Sequence, residues 1–272
     1  MTDRYAVIGN PVAHSQSPLI HAAFARRTGE DIEYGRLLAP LDRFAETVER
    51  FRDEGGRGLN VTLPFKEEAH RLATARSERA AAAQAANTLR FDAGAIYGDN
   101  TDGVGLVRDI RDNLGLAIAG RRVLLLGAGG AARGVVAPLL EERPQSLTLA
   151  NRTLERALAL ERFFGPRLRA STYEALQGRQ FDLVINATSA GLAGALPPLP
   201  AGVYAAGALA YDMMYGAGLT PFLEAARSEG AASAADGLGM LVEQAAESFF
   251  VWRGVRPPTA EVLASLRGDG RW

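Results

Sequence analysis

Val123-Leu124-Leu125-Leu126-Gly127-Ala128-Gly129-Gly130-Ala131-Ala132 is the stretch of this chain whose reading decides its fold. Its four leading apolar residues form the short continuous run that a parallel strand shows when both of its faces are buried. An alanine-rich helix to Glu141 follows the glycines. Strand, glycine turn and helix in that order make a cradle for a pyrophosphate. Small residues let the backbone approach the phosphates, and the free N–H groups and dipole of the helix start favour an anion. A glycine turn without that context joins elements and no more. With it, Gly127, Ala128, Gly129, Gly130 and Ala131 are expected to bind a dinucleotide.

The strand that follows, Leu147-Thr148-Leu149-Ala150, bears on which dinucleotide. An NAD site ends this strand in Asp or Glu, which accepts a hydrogen bond from the ribose 2′-hydroxyl. Here it ends Asn151-Arg152-Thr153, with Arg156 one helical turn later. Two guanidinium groups suit a 2′-phosphate, and no carboxylate ends the strand to repel one. As solvated charges at a helix start they would carry no such meaning; behind the glycine fingerprint they point to NADP.

Working outward, helices are expected over 103–114, 153–164, 221–229 and 238–252, with a short one after Pro257-Pro258. Strands are expected over 182–185, 204–212 and 231–236. In the first hundred residues, strands near 7–9, 32–37 and 58–62 alternate with helices over 17–27, 41–53 and 65–73, with Ser17 as a helix N-cap and Pro18 at the first helical position. That alternation favours a largely parallel sheet. The fold class is thus α/β.

With 272 residues the chain has room for two modest domains, and its formal charge of −1 gives no field to attract nucleic acid or an anionic membrane. No apolar run reaches membrane-spanning length, no secretory leader is evident, and cysteine is absent. A cytoplasmic protein is expected, a monomer or homodimer, with small-molecule partners. The three histidines, His14, His21 and His70, make no metal-ligand spacing.

Of the 30 basic residues, Lys66 is the single lysine. An amine can lose its proton near neutrality where a guanidinium cannot, which makes Lys66 a candidate for proton transfer; drift towards arginine would explain the bias equally well. Other polar groups stand where plain loops would suffice. Ser15 and Ser17 lie at a helix start that favours a carboxylate, and Thr62 ends a strand just before Lys66. Asn87-Thr88 and Asp99-Asn100-Thr101-Asp102-Gly103 are, taken alone, equally ordinary turn residues.

Together these runs resemble the shikimate dehydrogenases. The matching segments are Gly9-Asn10-Pro11, Ser15-Gln16-Ser17-Pro18, Asn60-Val61-Thr62 with Pro64-Phe65-Lys66, Asn87-Thr88 and Asp99 to Gly103. They continue through the glycine turn, Asn151-Arg152-Thr153, Asn186-Ala187-Thr188-Ser189 with Gly191, Tyr211-Asp212 with Tyr215, and Asp236-Gly237 with Met240-Leu241 and Gln244. They run in the family's order across almost the whole chain.

The resemblance implies an N-terminal α/β substrate-binding domain (1–102), a Rossmann-like NADP-binding domain (103–237) and C-terminal helices (238–272) returning to the first domain. It implies reversible, NADPH-dependent reduction of 3-dehydroshikimate to shikimate, a step of chorismate and aromatic amino-acid biosynthesis. Ser15 and Ser17 would hold the substrate carboxylate. Thr62, Lys66, Asn87, Asp102 and Gln244 would hold its hydroxyls and the reacting oxygen, with Tyr215 nearby and Lys66 and Asp102 as the catalytic pair. Met213 and Gly237 would line the nicotinamide side, and Asn186 and Thr188 would sit beside the cofactor.

This sequence departs from the family's pattern at Gln16, commonly Lys, and at Ala132, commonly Ser. Quinate/shikimate dehydrogenases share the substrate residues but use NAD as well, and Asn151-Arg152-Thr153 argues against that branch. A non-catalytic sensor of the same ligands would have no need to keep Lys66 and Asp102.

Overall fold

Arg122–Leu126 forms β7, and its side chains divide between two cores. Val123 and Leu125 pack on one face of the sheet, and Leu124 and Leu126 on the other. That is the geometry the uninterrupted apolar run required, since successive residues of a strand point to opposite faces. The computed structural model describes residues 2–188, 196–216 and 218–268. Ser189 and Gly191 of the family pattern lie outside them.

The chain divides into two compact units, one of Met1–Gly105 with Val242–Ser265, the other of Leu106–Leu241 with the residues from Leu266 on. In the first, the strands are β1 (Asp3–Gly9), β2 (Ile32–Leu38), β3 (Gly56–Val61), β4 (Ala75–Arg76), β5 (Thr88–Asp92) and β6 (Ala95–Asp99). They form one sheet in the order β2-β1-β3-β5-β6-β4. The sheet is mixed, which corrects the expectation of a largely parallel one. β1 runs parallel to β2 and β3, but β5 is antiparallel to both β3 and β6. A hairpin turning at Gly94, whose φ of 79° suits glycine, makes the β5–β6 pair antiparallel. The core of this unit gathers Ile8, Phe44, Val48, Leu59, Phe65 and Leu89.

Its helices are α1 (Ser17–Thr28), α2 (Phe44–Asp53), α3 (Lys66–Leu72) and α4 (Glu78–Ala83). α2 starts at Phe44, after the expected Leu41, because its apolar face of Phe44, Val48 and Phe51 is what it buries. Gln16, rather than Ser17, is the N-cap of α1, and its side chain makes no capping bond. The Ser17 N–H donates to the Ser15 hydroxyl, which also bonds the Ser17 hydroxyl.

In the second unit β7 is joined by β8 (Ser146–Ala150), β9 (Leu168–Ser171), β10 (Phe181–Asn186), β11 (Tyr204–Asp212) and β12 (Ser233–Ala235). All pairs are parallel, in the order β12-β11-β10-β7-β8-β9. Numbered from β7, this is the doubly wound order 3-2-1-4-5-6, whose strand order reverses between β7 and β10. Ligands of such sheets bind beyond the carboxyl ends of the strands at that switch point. The segments flanking the sheet are α5 (Asp102–Arg108), a π-helical turn at Asp109–Asn113, α6 (Gly130–Glu141), α7 (Leu154–Phe164) and α8 (Pro221–Ser228). α9 (Leu238–Arg253) and α10 (Ala260–Gly268) follow, and most of each belongs to the first unit.

Candidate active site and cofactor cradle

At the switch point the carboxyl ends of four strands stand level. Leu126 pairs with Ala150 and Asn186, and Asn186 with Asp212. Gly127 follows with φ 102°, a conformation open to glycine, and its N–H donates to the Ala150 carbonyl. A methyl there would also stand 3.1 Å from Thr188 Cγ2. Gly129 and Gly130 are different: a Cβ built on either meets nothing within 4 Å. Their backbone therefore borders open space at the N-terminus of the 12-residue α6, where no side chain caps the free N–H groups. This is the form a pyrophosphate cradle takes, and the residues fit a dinucleotide.

Asn151 turns its amide onto the Thr153 carbonyl at 2.8 Å, fixing the turn into α7. Arg152 and Arg156 are exposed and their guanidinium groups have no hydrogen-bond partner among the described residues, so both are available to a phosphate. Glu155 shares the first turn of α7, an exposed carboxylate that sequence reading passed over.

Asn186 is buried, and its side chain is committed within the protein. Its Oδ1 accepts from the Thr188 N–H and hydroxyl, and its Nδ2 donates to Asp212 Oδ1 at 3.2 Å. Asp212 also accepts from the Met214 N–H and the Thr220 hydroxyl, and burial raises its pKa. Asn186 and Asp212 thus shape the loops carrying Thr188 and Met213. Gly237 lies against the second of these: a Cβ there would sit 2.3 Å from the Met213 carbonyl oxygen, so only glycine fits. Burial also raises the pKa of Tyr215, which belongs to this second unit.

The first unit holds the remaining candidates. Lys66, on the first turn of α3, donates from Nζ to Asp102 Oδ2 at 2.6 Å. Asn87 Nδ2 donates to Asp102 Oδ1 at 2.8 Å, to the Thr101 hydroxyl at 2.8 Å and to Gln244 Oε1 at 3.1 Å. Lys66, Asn87, Asp102 and Gln244 therefore form one connected cluster. The Lys66 side chain keeps 30% of its exposure and Asp102 only 10%, so Lys66 is the more open member of the pair. Thr62 is half-buried, with its methyl against Gly9 and no hydrogen-bond partner for its hydroxyl among the described residues. Ser15 and Ser17 are paired hydroxyl to hydroxyl at 3.2 Å.

Behind these groups lies a polar layer largely missed in the sequence. Asn60 donates to the Ser248 hydroxyl at 2.9 Å, and its Oδ1 accepts from the Tyr34 hydroxyl at 2.7 Å. His21 Nε2 stands 3.1 Å from the same oxygen, and Ser248 also contacts Thr88 and Thr101. Ser248 was findable, because it lies four residues after Gln244 on one helix and so shares its face. Arg79 grips Asp99 with two hydrogen bonds, at 2.7 and 2.8 Å, and reaches Glu247, which steadies the strand end leading to Asp102.

A doubly wound sheet with a dinucleotide cradle, and an ammonium–carboxylate pair open on one side, define a nicotinamide-dependent oxidoreductase of a hydroxylated substrate. The shikimate dehydrogenase (NADP(+)) of Nitrosospira multiformis is 62% identical to this chain, over 99% of it and 98% of the relative. The chain belongs to the shikimate dehydrogenase family. Residues 7–89 match the family's substrate binding domain, 109–193 the shikimate / quinate 5-dehydrogenase domain, and 237–267 the shikimate 5′-dehydrogenase C-terminal domain.

Among solved structures, an Ael1 enzyme from Pseudomonas putida superimposes with a TM-score of 0.93 at 55% identity, over 97% of this chain and 98% of that one. The Thermus thermophilus shikimate 5-dehydrogenase in complex with NADP(H) and shikimate gives 0.87 at 34% identity, over 98% and 99%.

Proposed function

We infer that this chain catalyses the reversible, NADP-dependent reduction of 3-dehydroshikimate to shikimate, with Lys66 and Asp102 handling the proton. The observation that carries the reading is the 2.6 Å contact between the chain's single lysine and a nearly buried carboxylate, itself held by Asn87. Bound NADPH supplies the hydride. The chain's own task is to hold the ring and to give a proton to the oxygen on which negative charge develops. Lys66 Nζ has three N–H bonds and spends one on Asp102, leaving donors for that oxygen. Asp102, fixed by Asn87, aims the ammonium and keeps an acceptor beside the substrate hydroxyls.

Ser15 and Ser17 receive the substrate carboxylate in this reading, and Thr62, Asn87, Gln244 and Tyr215 its hydroxyls. Gly127 to Ala131 hold the pyrophosphate, Arg152, Arg156 and the turn Asn151–Thr153 the 2′-phosphate. Thr188, Met213 and Gly237 border the nicotinamide, with Asn186 supporting them from behind. The cytoplasm is the compartment this reading assigns, and among the described residues no helix is long and apolar enough to cross a membrane.

The test is initial-rate nicotinamide absorbance with shikimate and NADP, against NAD and quinate as matched alternatives. Fast reduction with shikimate and NADP alone supports the whole assignment. Comparable rates with NAD or quinate move the chain to the broader-specificity branch and demote Arg152. Binding without turnover favours a sensor.

A further inference from the structure

Arg36 lies on β2, two residues after Tyr34, and side chains two apart on a strand share a face. Tyr34 shows which face that is: its ring stacks on His21 of α1 at 4.2 Å, and its hydroxyl bonds Asn60. Arg36 follows it towards the turn that opens α1, and donates from Nε and Nη2 to the Ser15 carbonyl at 3.1 and 2.6 Å. These bonds use two of the guanidinium's five N–H groups. No carboxylate among the described residues pairs with it, whereas many of the chain's other arginines are in ion pairs. An unpaired cation is thus clamped to the residue whose hydroxyl, with that of Ser17, is assigned to the substrate carboxylate. The position between those serines is the neutral Gln16.

We propose that Arg36 is a specificity-determining residue, the cation that makes the Ser15–Ser17 subsite select an ionised carboxylate over a neutral group of the same shape. Two hydroxyls alone hydrogen-bond an ester carbonyl nearly as well as a carboxylate oxygen. The guanidinium supplies the charge that tells them apart. The bidentate grip on Ser15 fixes that charge in place, so little side-chain entropy is lost when the substrate arrives. The proposal rests on the reading that shikimate or its ketone binds at these serines.

The test compares shikimate with its methyl ester as substrates, in the wild type and in Arg36→Gln and Arg36→Lys, by KM, kcat and calorimetric Kd. Arg36→Gln is expected to raise KM for shikimate about fivefold, as for a partly exposed charge pair worth roughly 1 kcal/mol. The KM for the ester and for NADP, and kcat, should change by less than about twofold on the same scale. Arg36→Lys should restore most of the preference for the acid, and added salt should erode that preference in the wild type but not in Arg36→Gln.

Equal losses for acid and ester would show that Arg36 only braces the Ser15 backbone, and would overturn the proposal. A wild type that binds shikimate without turning it over would overturn the hydride-transfer reading, while the ratio of acid to ester Kd would still decide Arg36. A wild type that binds no shikimate would overturn both.

Discussion

Lys66 and Asp102 come from the starts of two different helices, α3 and α5, and meet at 2.6 Å, Nζ to Oδ2. Asn87 holds the other carboxylate oxygen at 2.8 Å, so the Asp102 carboxylate cannot turn away from Lys66 without breaking a buried amide contact. In the proposed role the ammonium, tied to that carboxylate by one hydrogen bond, keeps its remaining N–H bonds for the developing oxyanion.

Lys66→Arg keeps the charge and is expected to lower kcat by about 10²- to 10⁴-fold, the span general acid–base groups contribute. A guanidinium does not release its proton near neutrality, and its fork is wider than the one bond Asp102 offers. Lys66→Ala should fall as far, with the Kd for NADP unchanged in both. Steady-state rates and a fluorescence titration of the cofactor check this, and near-normal turnover of Lys66→Arg would remove Lys66 from the proton path.

Arg152→Ala should raise the KM for NADP roughly 10- to 100-fold, as for loss of a charged hydrogen bond, and leave NAD within about twofold. The guanidinium is exposed and has no hydrogen-bond partner in the described protein, so nothing internal is broken by its removal. Glu155, in the same turn, supplies an internal control. Glu155→Gln should tighten NADP slightly by removing a like charge near the 2′-phosphate. Equal weakening of NADP and NAD in Arg152→Ala would mean that the phosphate is held elsewhere.

Gly237→Ala tests the proposal that Gly237 borders the nicotinamide. The added methyl would press on backbone, the carbonyl oxygen and carbon of Met213, and not on a side chain able to turn away. Overpacking of this kind costs about 1–3 kcal/mol. A lowered Tm together with a raised KM for NADP is expected; unchanged values for both would show that the Met213 loop yields freely.

How much of this was legible in the sequence depended on the range of the interactions. β7 and its glycine turn were readable because a doubly buried strand needs an unbroken apolar run and a phosphate needs small residues, both local demands. Lys66 stood out because it is the single lysine. The hairpin of β5 and β6 was passed over although Leu89 and Phe91 alternate with Arg90 and Asp92, a period-two signal only five residues long. β9 is shorter still. Tyr34 and Arg36 gave no signal at all, since their part depends on which helix covers β2 and on the Ser15 turn beyond it. Ser17 looked like an N-cap because its type and place suit one; the Ser15 hydroxyl, which takes its N–H, is a contact that propensity does not encode.

His21 yields a prediction about stability and pH. Its ring is wholly buried among Phe24, Tyr34, Phe249 and Trp252, and burial lowers its pKa to about 3. With Nε2 donating to Asn60, Nδ1 has no partner among the described residues. The folded chain therefore refuses a proton that the unfolded chain accepts near its ordinary value of about 6.5. The contribution is fully present above pH 6.5 and is lost as the pH falls from there towards 3, at about 1.4 kcal/mol per unit. Urea unfolding at intervals between pH 7 and 4.5 should show the wild type losing stability more steeply than His21→Gln, which has no proton to take up. Parallel pH profiles for the two proteins would show that the imidazole is protonated in the folded state, and with it that the layer behind the substrate residues admits a charge.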